Sequence, residues 1–247
     1  MPHEDFVYLG DHARLPYGPR PLDEIRGFAR EIGAYLEAQG VKLMLVACNA
    51  ATSAALPELQ ATLAVPVVGV INPEAYAAVQ ATRNRRIGLL ATEATVSAGR
   101  YAELIRQLDA GVELTAVACP KLVHLIEEDA YFEETLEAVR EYAAPLKIAA
   151  VDTVILGCTH YPMIRTMLQR VFGRDVTLVF SAEETARVVA ETLARKGIEN
   201  DPDRGEGDYR FLTTGDPEAF RLAGRRFLQL PIATVEGVSL EELRAAA

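Results

Sequence analysis

Two stretches of this chain are versions of one another, and that likeness limits its fold more than any other feature. Val41-Lys-Leu-Met-Leu-Val-Ala-Cys48-Asn49 and Val151-Asp-Thr-Val-Ile-Leu-Gly-Cys158-Thr159 are apolar runs, each closing on a small residue, a cysteine and a small polar residue. Runs of this length, rich in Val, Leu and Ile and followed by helix-like sequence, read as buried parallel strands. Each cysteine then falls at the carboxyl end of a strand, where open α/β sheets bind their ligands. Two thiols at matching places in two matching halves suggest a single pocket facing both.

The cysteines stand 110 residues apart, and the same offset aligns more than the two runs. Phe6-Val-Tyr-Leu-Gly10 falls near Ala116-Val-Ala118, Val67-Val-Gly-Val70 near Thr177-Leu-Val-Phe180, and Glu74-Ala-Tyr-Ala-Ala-Val against Glu184-Thr-Ala-Arg-Val-Val. One match could be chance between any two α/β segments; several in one register make duplication the better account. The fold class expected is therefore α/β, with two pseudo-symmetric open parallel-sheet lobes and the site between them. Residues 1–72 with 182–247 are expected to form the first lobe and 73–181 the second. The offset also exposes a gap, because Arg86-Ile-Gly-Leu-Leu-Ala-Thr92 opens the second half and its counterpart would precede Met1. On this reading the chain begins one βα unit late. Locally, strands are expected over 41–48 and 66–71, and helices over 21–38, 52–63, 98–109 and 133–148. A further helix over 74–82 has Pro73 at its start.

Composition narrows the function. A net charge of −10, from 25 Lys and Arg against 35 Asp and Glu, argues against a nucleic-acid partner and against an anionic membrane surface. No apolar run approaches the roughly 18 residues of a membrane span, and the N-terminus has no basic region followed by an apolar stretch, so a cytoplasmic protein is expected. Three cysteines without CxxC spacing suggest neither a disulfide framework nor a zinc site, and no metal is expected.

A thiol at a strand-to-helix turn meets free backbone N–H groups and the positive end of the helix dipole, which are expected to lower its pKa. The same N–H groups suit a carboxylate. With a thiol on each side of a bound carbon, one can remove the Cα proton while the other delivers a proton to the opposite face, giving the mirror image without a cofactor. A lone cysteine after an apolar run is more often a buried small hydrophobe, and that reading stands for Cys119. For Cys48 and Cys158 the repeat reverses it. His160, two residues from Cys158, can orient or activate that thiol. Glu127, on composition alone, is a helix-face carboxylate.

Several motifs together resemble glutamate racemase, the member of the cofactor-independent Asp/Glu racemase superfamily that supplies D-glutamate for peptidoglycan. They are Asp11…Pro16-Tyr17-Gly18, Ala47-Cys48-Asn49, Gly69-Val-Ile-Asn72-Pro73, Ala91-Thr92…Thr95-Val96, Cys119-Pro-Lys121…Glu127, Gly157-Cys158-Thr159-His160-Tyr161-Pro162 and Thr213-Thr-Gly-Asp216, and they span nearly the whole chain. The resemblance implies that Cys48 and Cys158 are the acid/base pair and that Asn49, Thr159, Tyr17 and Gly18 contact glutamate. It implies that His160 assists Cys158 with Glu127 nearby, and that Thr92 and Thr95 are hydroxyl donors to substrate. A homodimer is implied as well, and contact with DNA gyrase is suggested by family analogy alone. Two departures stand out: nothing in residues 1–11 matches the family's Asp-Ser-Gly, and Ala50 occupies a substrate-contacting position where the family usually has Thr. A racemase of another acidic amino acid, a non-catalytic amino-acid or protein-binding homologue and a thiol hydrolase are the competing readings.

Overall fold

The computed structural model describes residues 1–128, 130–228 and 232–247, without the side chains of 226–228. In chain order the elements are β1 (Phe6–Gly10), α1 (Leu22–Ala38), β2 (Met44–Val46), α2 (Asn49–Thr62), β3 (Val67–Gly69), α3 (Ile71–Ala81), β4 (Arg86–Ala91), α4 (Glu93–Ser97) and α5 (Arg100–Leu108). Then follow β5 (Glu113–Ala118), α6 (Leu122–Glu127), α7 (Phe132–Ile148), β6 (Thr153–Gly157), α8 (Arg165–Phe172), β7 (Thr177–Val179), α9 (Ala182–Lys196), β8 (Tyr209–Thr213), α10 (Pro217–Leu228), β9 (Glu236–Gly237) and α11 (Leu240–Ala246).

Every strand pairing described is parallel, as expected for strands joined through helices. The second half forms one sheet in the order β5-β4-β6-β7. Strand β6 is buried along its whole length, between the cluster of Leu122, Val139, Leu146 and Leu168 on one face and that of Ile71, Ile87 and Ile105 on the other. The first half is divided: β1 pairs with β8, which pairs with β9, while β2 and β3 form a separate pair. Under the 110-residue offset β1, β2 and β3 correspond to β5, β6 and β7. The division between β1 and β2 thus falls where the second half holds β4. It leaves its mark on side chains: Leu45 is 41 % exposed, whereas Ile155, its counterpart, is fully buried.

Several boundaries differ from the sequence expectation. The strand expected over 41–48 is only Met44–Val46, because its ladder has a single neighbour, β3. The helix expected from residue 52 starts at Asn49, with extended Cys48 as its N-cap and the Thr52 N–H donating to the Cys48 carbonyl at 2.8 Å. The helix expected from residue 74 starts at Ile71 and takes Pro73 into its first turn, where a missing N–H costs nothing. The helix expected over 98–109 is α5, Arg100–Leu108. Gly99, at φ +66°, separates α4 from α5. Such a left-handed residue interrupts the hydrogen-bond ladder and favours glycine.

The contrast between repeat partners is measurable. Ile155→Ala is expected to cost about 2–5 kcal/mol of unfolding free energy, as for a fully buried aliphatic side chain. Leu45→Ala should cost under about 1 kcal/mol, as for a substitution at a partly exposed position. Urea unfolding followed by circular dichroism measures both.

Candidate active site

The predicted site residues assemble in three groups. The first opens α2. Cys48 is partly buried, and the Ala51 and Ala50 backbone N–H groups act on its sulfur, so Ala50 contributes main chain where a threonine would also bring a hydroxyl. Burial nevertheless pushes the Cys48 thiol up, against those N–H groups. The second group follows β6. Cys158 is buried, and desolvation pushes its thiol up to about 12, against the His160 backbone N–H and with a smaller upward push from the charge of Cys48. The expectation that the strand-end turns lower the thiol pKa values is therefore overturned: removal from water outweighs the few N–H groups that favour thiolate. The influence of Cys48 on Cys158 also places the two sulfurs within each other's electrostatic reach.

Beside Cys158 the structure builds a relay. His160 Nδ1 lies 3.7 Å from the Cys158 sulfur, and its Nε2 lies 2.5 Å from Glu127 Oε1. A carboxylate on the far nitrogen orients the ring and stabilises an imidazolium, should the thiol pass its proton inward. Thr159 is exposed. Gly157 packs tightly before Cys158: a Cβ there would stand 2.8 Å from Leu89 Cδ1 and 3.2 Å from Ala91 Cβ, so a larger residue would require Leu89 to shift.

The third group joins the two halves. The Gly18 carbonyl accepts from the Ala94 N–H at 2.9 Å, and a Cβ on Gly18 would stand 3.0 Å from that of Thr92. Tyr17 hydrogen-bonds Asp11, which also accepts from Arg14 Nε at 2.7 Å and Thr214 Oγ1 at 2.8 Å. Burial raises the Tyr17 pKa, and the charge of Asp11 raises it further; the ring packs against the same apolar cluster as Cys48. Thr92 caps α4 by accepting from the Thr95 N–H, and the two hydroxyls lie 3.1 Å apart. Cys119 is fully buried, as its sequence context suggested, and burial holds its thiol up at about 12. Among the described residues no group of three or more His, Cys, Asp or Glu is placed to hold a metal, and no helix is long and apolar enough to cross a membrane.

The model of the Asp/Glu/Hydantoin racemase family matches residues 1–189. The chain belongs to the Asp/Glu racemase family. It is similar to the glutamate racemase of Parafrankia, 46 % identical over 236 residues that cover 95 % of this chain and 85 % of that one. It is also similar to that of Listeria monocytogenes, 40 % identical over 241 residues, or 97 % and 90 % of the two chains. Among solved structures, a Bacillus anthracis glutamate racemase superposes with a TM-score of 0.90 at 37 % identity, over 96 % of this chain and 88 % of that one. The Francisella tularensis glutamate racemase in complex with D-glutamate gives a TM-score of 0.89 at 30 % identity, over 97 % and 89 %. Two α/β halves built from parallel strands are thus the architecture this racemase shares with its relatives.

Sequence reasoning missed the two residues that hold Asn49, and a third behind them. Asn49 Nδ2 donates to Glu74 Oε2 at 2.8 Å and to Tyr101 Oη at 2.7 Å, and Tyr101 hydrogen-bonds Glu74. Glu74 also takes hydrogen bonds from the side chain and backbone of Ser181. The repeat paired Glu74 with Glu184, but Glu184 sits on the surface beside Arg187, whereas Glu74 is 1 % exposed. Burial raises the Glu74 carboxyl from 4.5 to about 8, against the hydrogen bonds from Tyr101, Asn49 and Ser181.

A stability measurement follows from that shift. The unfolded chain releases this proton above about pH 4.5 while the folded protein keeps it until about 8. The contribution of Glu74 is therefore complete below 4.5, declines as pH rises to 8 and is level beyond. Urea midpoints taken across this range should fall for wild type relative to Glu74→Gln and run parallel to it above pH 8.

Proposed function

We propose that this chain interconverts L- and D-glutamate by two-thiol proton transfer, and that its cellular role is supplying D-glutamate to peptidoglycan synthesis in the cytoplasm. The observation that carries the reading is the placement of Cys48 and Cys158 at two strand ends, within each other's field, in a chain 40–46 % identical to glutamate racemases. The proposed lobes are 1–72 with 182–247 and 73–181, and the substrate lies between them. The parallel pairing of β1 with β8 supports grouping the C-terminal segment with the first.

In this reaction the thiolate of one cysteine takes the Cα hydrogen as a proton, and the electron pair left on Cα is drawn into the neighbouring carboxylate. The thiol of the other cysteine then protonates the opposite face, and the pair exchange protonation states. No electron is gained or lost, so neither a redox nor an electron-sink cofactor is required. Burial keeps both thiols protonated at neutral pH, so each needs local help to become a base. For Cys158 that help is His160, with Glu127 behind it. For Cys48 it is the Ala50 and Ala51 N–H groups, joined by the substrate's ammonium. Asn49, Thr159, Thr92, Thr95 and the Tyr17-Gly18 turn are assigned to hold the amino acid, as hydrogen-bonding groups ordered around the two thiols.

The test is chiral chromatography of L- and D-glutamate incubated with the protein in D₂O. Solvent deuterium should enter at Cα. Cys48→Ala and Cys158→Ala should each lose racemisation by roughly a thousandfold or more, and His160→Ala should lower kcat by about a hundredfold, within the usual range for general acid–base assistance. Turnover at the wild-type rate in Cys158→Ala would exclude the mechanism.

A further inference from the structure

Asn49 is 2 % exposed and stands directly after Cys48. Its carboxamide has two N–H donors and one carbonyl acceptor. Both donors are committed, to Glu74 Oε2 and to Tyr101 Oη. The orientation is dictated by those partners. Tyr101 spends its own hydrogen on Glu74 Oε2, so it can only accept from Asn49; with Oε2 taking that hydrogen, the proton that the buried carboxyl retains belongs on Oε1, and Oε2 is an acceptor. Turned over, the amide would set its carbonyl against two acceptors. The consequence is an Oδ1 that is buried and has no hydrogen-bond partner in the protein. Buried acceptors are ordinarily satisfied, and one left alone on the residue that follows Cys48 is what a ligand's donor would complete. An α-amino acid carries such a donor in its ammonium.

Glu74 is the hub of this arrangement. It lies in the first turn of α3, just past β3, and gathers Asn49 from α2, Tyr101 from α5 and Ser181 from the turn between β7 and α9. Tyr101, 1 % exposed, is enclosed by the same core that packs α5 against β4. A carboxyl held from so many sides has little freedom to rotate, and it transmits that rigidity to the amide beside Cys48.

We propose that Glu74, with Tyr101, is a positioning residue for the reaction: it locks the Asn49 carboxamide so that Oδ1 is presented to the ammonium of the substrate. The assignment rests on the racemase reading for the identity of the ligand, and on the hydrogen-bond triangle for the lock. Glutamine in place of Glu74 keeps the size but can offer an NH₂ to Asn49, so the amide loses its single allowed orientation. In Glu74→Gln, KM for glutamate and Kd for D-glutamate by calorimetry should rise at least tenfold, with kcat changed less than threefold. Asn49→Ala should show a similar loss.

Two further measurements separate positioning from mere structural support. In the double variant Glu74→Gln/Asn49→Ala the affinity should be within twofold of Asn49→Ala alone, because Glu74 acts only through the amide. In ¹⁵N NMR spectra, the Asn49 side-chain NH₂ pair, assigned by its disappearance in Asn49→Ala, should exchange slowly with solvent in wild type and quickly in Glu74→Gln. Wild-type affinity in Glu74→Gln, losses that multiply in the double variant, or an Asn49 pair that exchanges equally in both proteins would each overturn the proposal. If Glu74→Gln fails to give a cooperative thermal transition, Tyr101→Phe, which removes one hydroxyl from the triangle, is read in its place with the same criteria. A wild-type chain that neither binds nor racemises glutamate defeats the functional reading, while the NH₂ exchange still decides the lock.

Discussion

Removing two thiols from water is the constraint on which the rest of the site depends. At each strand end a helix or turn offers backbone N–H groups that favour thiolate, and at each the loss of solvation is larger. The protein therefore stores its two sulfurs as thiols. Protonated sulfur is stable but inert, and in the proposed mechanism the surroundings of each serve to make the proton leave on demand. Around Cys158 that means an imidazole backed by a carboxylate. Around Cys48 it means main-chain donors, joined by the substrate's ammonium, for which the unmatched Asn49 carbonyl is the proposed acceptor. The dryness that makes deprotonation costly also makes every charge and dipole in the site act more strongly.

The two thiols are held by unequal scaffolds. Cys158 leaves a strand flanked by β4 and β7, and Gly157 lets that strand lie close against Leu89. Cys48 leaves a three-residue strand with one neighbour, and its position is secured mainly by the helix that it caps. Ties that run between the halves compensate for this asymmetry. Gly18 rests against Thr92 and accepts from Ala94, while the Glu74 cluster draws together α2, α3, α5 and the turn before α9.

Much of this was legible beforehand. The parallel strands, the proximity of His160 to Cys158 and the buried nature of Cys119 followed from periodicity, small-residue placement and internal likeness, and the proposed pairing of Cys48 with Cys158 rests on the same signals. Element ends were less legible because they depend on neighbours: β2 is short for want of a second partner, and Gly99 divides α4 from α5 through a backbone angle that composition does not reveal. Glu74 was not singled out at all. Its helix position, next to Pro73 and in register with surface Glu184, is that of an ordinary first-turn acid, and nothing local distinguishes the two glutamates.

Period-two and period-3.6 patterns act within a few residues, so the amino-acid sequence by itself determined the order of strands and helices, the duplication and the strand ends that carry cysteine. Desolvation and hydrogen-bond closure depend on groups far apart in the chain, and these only the tertiary structure decided. Glu127 reaches His160, and Tyr101 reaches both Asn49 and Glu74, across separations that no local pattern encodes. For the same reason the direction in which the thiol pKa values move was settled by packing: a helix N-terminus is visible in sequence, but the amount of water removed from around it is not.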